Sequence, residues 1–202
     1  FAPPKGIGLV LDAGVVKGGG YLFIDAERGE YAGALELKFL TFSIKAIGLL
    51  STKRPDGSDG WSLLLFVFGQ FNVHIAFGIF WTGAGGMVGL HHRSDVDALS
   101  AGMRTGALDD VLFPQNPVAD APRIINRYRT LFPVTDGNLL IGPMLELSFS
   151  DPPIVFVRLG VIFDVRNALS PGPVTLSKVV LVGQVLVQLP ARKLGVPAIL
   201  RL

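Results

Sequence analysis

Apolar residues recur at strand spacing along most of the chain, and only residues 84–133 carry them at helical spacing. Apolar and polar positions that alternate with a period of two, broken by groups of Gly, Pro, Asp and Ser, are typical of antiparallel strands joined by hairpins. The pattern predicts a meander of eight or nine strands. The predicted strands are residues 7–16, 21–26, 31–38, 39–50, 61–69, 70–83, 138–149, 154–165 and 174–189.

Turn-forming residues separate the N-terminal strands. The glycines at 18 to 20 can adopt positive φ, so residues 17–20 are the predicted turn between the first two strands. Residues 27–30 are the next predicted turn, and the polar decapeptide 51–60 is predicted to form a long hairpin loop.

Two consecutive segments in the middle of the chain are the most apolar. Residues 61–69 are apolar at odd and even positions alike, which predicts a central strand covered on both sides. Residues 70–83 alternate strictly, with Gln70, Asn72 and His74 on one face. The opposite face is the predicted ligand-binding apolar surface, formed by Phe71, Val73, Ile75, Phe77, Ile79 and Trp81.

Helix signals are confined to residues 94–133. Either Ser94 or Asp95 can accept the free N–H groups that open a helix, and the apolar residues that follow share one face. A short helical segment over 105–112 is predicted next. A third begins after Asp120 with a proline in its first turn, and it ends before Pro133, because the residue before a proline is pushed out of the helical region.

The predicted fold class is mainly β: an antiparallel meander sheet, curled or partly closed into a barrel or groove, with a two- to three-helix insertion at about 94–133. A sheet that is apolar on much of both faces closes, curls into a groove or stacks on a neighbouring module, and the pattern leaves these outcomes open. The chain is predicted to be one domain. Its predicted parts are N-terminal strands at 1–93, the helical insertion at 94–133, C-terminal strands of the same sheet at 134–189 and a tail at 190–202.

Composition adds an apolar surplus. Hydrophobic residues make up 50% of the chain and charged residues only 17%, with a mean hydropathy of +0.50. Such a chain has either a large core or apolar surface that a lipid, a partner or another copy covers. No window long enough for a transmembrane helix is free of polar residues, and the sequence from Phe1 lacks the pattern of a signal peptide, so we expect a piece of a longer protein whose localisation stays open.

Charge and cysteine content exclude some classes of function. The net charge is +2, and the basic residues are scattered, so the sequence does not predict nucleic-acid binding. The chain has no cysteine, which excludes disulfides and thiolate metal sites. No phosphate-loop or nucleophile-elbow motif occurs, and we predict no cofactor.

The histidines and one aspartate are weak candidates for catalysis. His91 and His92 could be combined with Asp95 into a metal site, but adjacent residues point in different directions on a strand or a helix, so we predict no metal. His74 shares a strand face with two amides and is either pocket-lining or simply solvent-facing. The catalytic residues are therefore unknown, with His74, His91, His92 and Asp95 as the candidates.

Three sequence blocks resemble a bacterial family known as domain of unknown function 6603, whose members lie within large multi-domain proteins. The blocks are GGGYLFIDAERGEYAGALELKF, VGLHHRSDVDALSAGMRTGALDDVLFPQNPVADAPRIINRYRTLFP and GPMLELSF. The resemblance covers roughly residues 6–165. It implies a module of a larger β-rich assembly and implies no activity.

Two functions from different classes follow from these patterns. The first is a non-enzymatic β-sheet module that holds a hydrophobic, lipid-like ligand in a groove or stacks on neighbouring modules, with a homo-oligomer as one form of that stacking. The alternative is a hydrolase that acts on a hydrophobic or polymeric substrate with a His/Asp site. A further alternative, an outer-membrane-type barrel, needs an outward apolar band, and only residues 71–81 fit one.

Overall fold

The computed structural model describes residues 6–106, 108, 111–189 and 198–201, with side chains up to 188. Ten antiparallel strands form one sheet in sequence order, nine of them long and the tenth only four residues. Two helices lie between the sixth and seventh strands. The elements are β1 Gly6–Ala13, β2 Val16–Asp25, β3 Glu30–Lys38, β4 Ser43–Lys53, β5 Asp59–Ala76, β6 Ile79–His92, α1 Val96–Thr105, α2 Ala121–Leu131, β7 Val134–Phe149, β8 Val155–Arg166, β9 Thr175–Leu189 and β10 Ala198–Arg201.

The antiparallel meander is confirmed, but the sheet does not close. Each described strand pairs with its sequence neighbours, and β1 and β10 lie at opposite ends of the strand order. Of the outcomes that the pattern left open, closure into a barrel is therefore excluded for the described strands. The predicted tail at 190–202 lies outside the described residues except for the backbone of β10.

Two predicted strand boundaries are wrong, each because a different residue supplies the positive φ. The first hairpin turns at Gly14, with φ 70°, so the glycines at 18 to 20 lie inside β2. A Cβ at Gly18 would overlap the backbone carbonyl oxygen of Glu36, so that position needs glycine for close strand approach. The predicted strand 70–83 is broken by a turn at Phe77 and Gly78, with φ 50° and 74°.

The helix boundaries follow the predicted signals. Asp95 is the N-cap of α1, and its carboxylate accepts from the Ala98 backbone N–H at 3.0 Å. Asp120 occupies the N-cap position of α2, but its carboxylate pairs with Arg123 at 3.1 Å instead of capping the backbone. The predicted middle helix at 105–112 falls partly on residues outside the description.

The hydrophobic core lies between the helical insertion and one face of the sheet, here called the inner face. Phe66 and Phe68 of β5 are fully buried there. The Phe66 ring lies 4.1 Å from that of Tyr128 in α2, and the Phe68 ring lies 5.3 Å from that of Phe113, which precedes α2. On β3 the inner positions are the small residues Ala32 and Ala34, over which α2 packs.

Candidate functional site

The other face of the sheet, here called the outer face, is apolar and uncovered by the described residues. Its side chains form continuous cross-strand rows, because residues paired in register point the same way. One row runs through Leu22, Gly33, Gly48, Leu65, Val88, Ile141, Phe163 and Val179. A second contains Gly20, Leu35, Ala46, Val67, Gly86, Pro143, Val161 and Leu181.

Exposure alternates sharply along the central strands. On β5, Leu64 and Phe66 are fully buried. Their neighbours Leu65 and Val67, which point to the other face, are 37% and 43% exposed. On β7, Leu140 is fully buried and Ile141 is 45% exposed. The predicted covering of residues 61–69 on both sides is therefore wrong: within the described chain, β5 is covered on its inner face alone.

A half-exposed sheet usually carries its charged residues on the exposed face, but here they lie on the buried inner face. The inner face of β7 and β8 holds Glu146 and Arg158, whose side chains are 3% and 6% exposed and form an ion pair of 2.6 Å. Asp164, on the same face, accepts from the Ser94 backbone N–H at 2.9 Å and from the Ser94 hydroxyl at 3.0 Å. The two outer rows hold no charged residue. Asp164 thus ties the start of the helical insertion to the sheet, and the apolar surplus lies on the outer face.

The predicted apolar surface at 71–81 lies at the far end of the β5–β6 hairpin. Val73 pairs with Trp81, which in turn pairs with Leu147 of β7, so both extend the outer face. Phe71 packs edge-on against Trp81, with ring centroids 5.1 Å apart. Ile75 is exposed near the hairpin tip, Ile79 pairs with Phe149, and Phe77 is the fully exposed turn residue.

The candidate catalytic residues do not come together. His74 lies near the tip of the β5–β6 hairpin, whereas His91 and His92 lie at the opposite end of β6, a distance of about 40 Å along the strand. The carboxylate of Asp95 caps α1. No group of three or more His, Asp or Glu side chains among the described residues could hold a metal ion.

His91 and His92 make separate contacts, as expected for adjacent residues. His91 Nδ1 lies 2.9 Å from the Asp136 carboxylate, and the ring packs edge-on against Trp61. The Gly137 backbone N–H also points at Nδ1, from 3.0 Å, but one nitrogen cannot both donate and accept. A protonated Nδ1 that donates to Asp136 is favoured, since two lone pairs at that distance would repel.

His92 lines a cavity of about 480 Å³ beside the hairpin loops that precede β3 and β5. Its Nδ1 lies 2.7 Å from the Phe132 carbonyl oxygen, which can only accept, so Nδ1 carries the proton. Burial lowers the pKa of His92 and keeps the ring neutral at pH 7. Nε2 is then a buried acceptor, and none of the described residues donates to it. The sequence offered no signal for this arrangement beyond the histidine itself.

Comparison with known proteins places the chain in a family. The model of the family of unknown function DUF6603 matches residues 1–202, the whole chain. This chain belongs to the DUF6603 family. A search of curated proteins and a search of solved structures found no match.

The geometry of this DUF6603 chain therefore offers two surfaces with different chemistry. The outer face offers apolar contact area, and the cavity beside His92 is lined by charged side chains of both signs. Among the described residues of the DUF6603 chain, neither helix is long and apolar enough to cross a membrane.

Proposed function

We propose that this chain is a non-enzymatic β-sheet module whose outer face packs against the outer face of a second copy. The observation that carries the proposal is the uncovered outer face of β2 to β9, whose cross-strand rows contain no charged residue. Two apolar sheets that pack face to face about 10 Å apart form the core of a β-sandwich. The described chain supplies one of those two layers.

The size of the outer face suits a stable dimer. Eight strands at about 4.8 Å spacing extend roughly 34 Å, and seven residues along each strand extend about 20 Å, which gives about 680 Å². Stable protein interfaces bury about 800 Å² on each partner, whereas the largest apolar patch of a typical monomer is about 300–600 Å². The face is therefore larger than a typical monomer leaves exposed and close to what one partner contributes.

The shape and charge of the outer face favour a second sheet over a small hydrophobic ligand. Ligands bind in concave sites that enclose most of their surface. Both described cavities lie near the hairpin loops, and none of the residues in the two central rows lines them. A face without charge creates no like-charge repulsion when it meets its own copy, whereas apolar side chains about 40% exposed gain burial.

Sedimentation equilibrium at micromolar concentration tests the proposal. The wild type is expected at twice the 21.6 kDa mass of the chain. Leu65→Lys/Ile141→Lys adds two charges at the centre of the face and is expected to give a monomer, because buried unpaired charges are strongly unfavourable. Leu40→Lys/Val174→Lys is the matched control, since it adds the same charge at exposed residues outside the central rows.

Two results would overturn the second-copy proposal. One is a wild type that stays monomeric at about 100 µM, well above the dissociation constants of most specific dimers. The other is a monomer that carries lipid in native mass spectrometry and after solvent extraction, which would assign the outer face to lipid. The hydrolase alternative stays a prediction that no contact among the candidate residues favours.

A further inference from the structure

The hairpin turns at the two ends of the sheet differ in polarity. At one end, the turns that precede β3 and β5 carry the charged residues Glu27, Arg28, Arg54 and Asp56. At the other end, the turns after β1, β3 and β5 carry Val15, Leu40 and Phe77, which are 66%, 86% and 100% exposed. Turns are normally built from polar residues, glycine and proline. This second end of the sheet, here called the apolar end, therefore departs from ordinary turn chemistry.

The β5–β6 hairpin protrudes at the apolar end. The last residue of β5 that pairs with β4 is Gln70, so the six residues up to Ala76 extend about 20 Å beyond β4. Phe77 and Gly78 form the turn with φ of 50° and 74°, a conformation that favours Asn-Gly. A Phe in this conformation is strained, and its fully exposed side chain gains no packing within the described chain in return. The tip side chain is thus placed for contact with something outside the chain.

Apolar residues surround this tip. Residues 60–92 include no Asp, Glu, Lys or Arg, and Ile75 and Trp81 are 56% and 39% exposed. Beside them, the β7–β8 turn adds Phe149 at 38% exposure, and Asp151 is the one charged residue of 147–157. None of these residues lines either described cavity. The tip is therefore a convex apolar wedge.

A lipid surface suits this wedge better than a protein does. A protein partner has to match the shape of the tip with a packed concave site, whereas a fluid bilayer adapts to a convex one. The depths of the side chains also match a bilayer interface. Phe77 is outermost, and Trp81 lies three residues behind the turn, about 10 Å deeper in the chain, where an aromatic side chain reaches the headgroup layer. Beyond Gln70, the backbone of β5 has no described partner on its β4 side, and such groups need water, so only the tip can enter the acyl region.

We propose that the tip of the β5–β6 hairpin inserts Phe77 into the interface of a phospholipid bilayer, with Trp81 at the level of the headgroups. Apolar burial drives the insertion, because the cations nearest the apolar end are compensated. Lys17 lies 3.5 Å from Asp12, and Lys38 lies 3.4 Å from Glu36. Zwitterionic lipid is therefore sufficient, and about 1 M salt, with a Debye length of about 3 Å, does not weaken binding. No step of the argument uses the packing of the outer face.

The two tryptophans report on the two ends of the sheet in phosphatidylcholine vesicles. Trp61 lies near the start of β5, about 40 Å along that strand from Val73, the residue paired with Trp81. Trp61→Phe leaves Trp81 as the reporter, and Trp81→Phe leaves Trp61; the two are compared at equal bound fraction in co-sedimentation. Lipid brominated near the headgroup end of its acyl chains is expected to quench Trp81 and to leave Trp61 unchanged. Equal quenching of both, or quenching of Trp61 alone, would overturn the inference.

Substitutions at the tip separate lipid binding from folding. Phe77→Asp is expected to lower the vesicle partition coefficient about tenfold or more, since burial of a Phe is worth at least that factor. Phe77→Asn suits the turn backbone, so it is expected to fold at least as stably as the wild type and still to lose binding. Val174→Asp is the matched control, because Val174 is 65% exposed at the opposite end of the sheet.

Leu65→Lys/Ile141→Lys distinguishes the tip from the outer face. This variant is expected to keep its vesicle binding, so a failure of the second-copy proposal leaves the present inference standing. Loss of vesicle binding in this variant would assign lipid to the outer face and overturn the inference. A wild type that does not bind phosphatidylcholine vesicles would do the same, as would Phe77→Asp binding as tightly as Val174→Asp.

Discussion

The buried ion pair between Glu146 and Arg158 tests whether the inner face is the true interior of this chain. Both side chains lie under the helical insertion, and Arg158 Nε donates to Glu146 Oε2 at 2.6 Å. Arg158 also donates to Gln184 at 3.3 Å. The perturbation is a double-mutant cycle of Arg158→Met, Glu146→Leu and the two together.

The expected magnitudes follow from burial. Either single substitution leaves an uncompensated charge that is at least nine-tenths buried, and breaking such a pair costs about 3–5 kcal/mol. The double substitution removes both charges and their desolvation costs, so it is expected within about 1 kcal/mol of the wild type or more stable. The cycle should therefore be strongly non-additive, as expected for residues in contact.

Urea unfolding followed by circular dichroism at pH 7 measures the cycle. With a slope of about 2 kcal/mol per M, each single variant is expected to lower the midpoint by about 1.5–2.5 M. All variants are compared at one protomer concentration, because association stabilises the folded state by mass action. Two small, additive losses would refute the reasoning, since they would mean that water reaches the pair and that the insertion does not seal the inner face.

Three further predictions concern single residues. Lys45→Met removes a buried ammonium that donates to two loop carbonyls at 3.0 and 2.8 Å, and we expect a loss of about 2–4 kcal/mol in urea unfolding. Burial lowers the pKa of His92, so just below the ordinary pKa of 6.5 the unfolded chain binds more protons than the folded chain. The free energy of unfolding of the wild type should therefore decrease as the pH is lowered below 6.5. In unfolding measured from pH 7 to pH 5, His92→Phe should reduce this dependence on pH. Gly18→Ala should cost about 1–3 kcal/mol in thermal unfolding, whereas Gly8→Ala, whose Cβ meets open space, should stay within about 0.5 kcal/mol.

The sequence predicted those elements whose signals are local. The N-cap of α1, the N-cap position at Asp120 and the end of α2 before Pro133 depend on side chains within a few residues. The last two lie at the predicted positions, and Asp95 is one of the two candidates predicted for the first. The strand order also follows from short hairpin connections. Turn positions were less predictable, because Phe77 takes a positive φ that its residue type disfavours.

The covered side of the sheet could not be predicted from alternation. On β5 the two faces offer Leu64, Phe66 and Phe68 against Leu63, Leu65 and Val67, and period two alone does not distinguish them. On β8 a rule that places charges in water would have exposed Arg158 and Asp164, yet both are buried. Partners distant in sequence, Glu146 and Ser94, make that burial possible, and such contacts exist only in the folded chain.

The position of the insertion explains why the described chain leaves so much apolar surface exposed. The two helices enter between β6 and β7 and pack on one side of the sheet. Two helices of about 10–12 Å diameter span little more than 20 Å, whereas ten strands at about 4.8 Å spacing extend roughly 43 Å. In agreement, all eight residues of β1 are exposed. Because the insertion lies on the inner side alone and covers about half the width of that face, the outer face stays uncovered by the described chain.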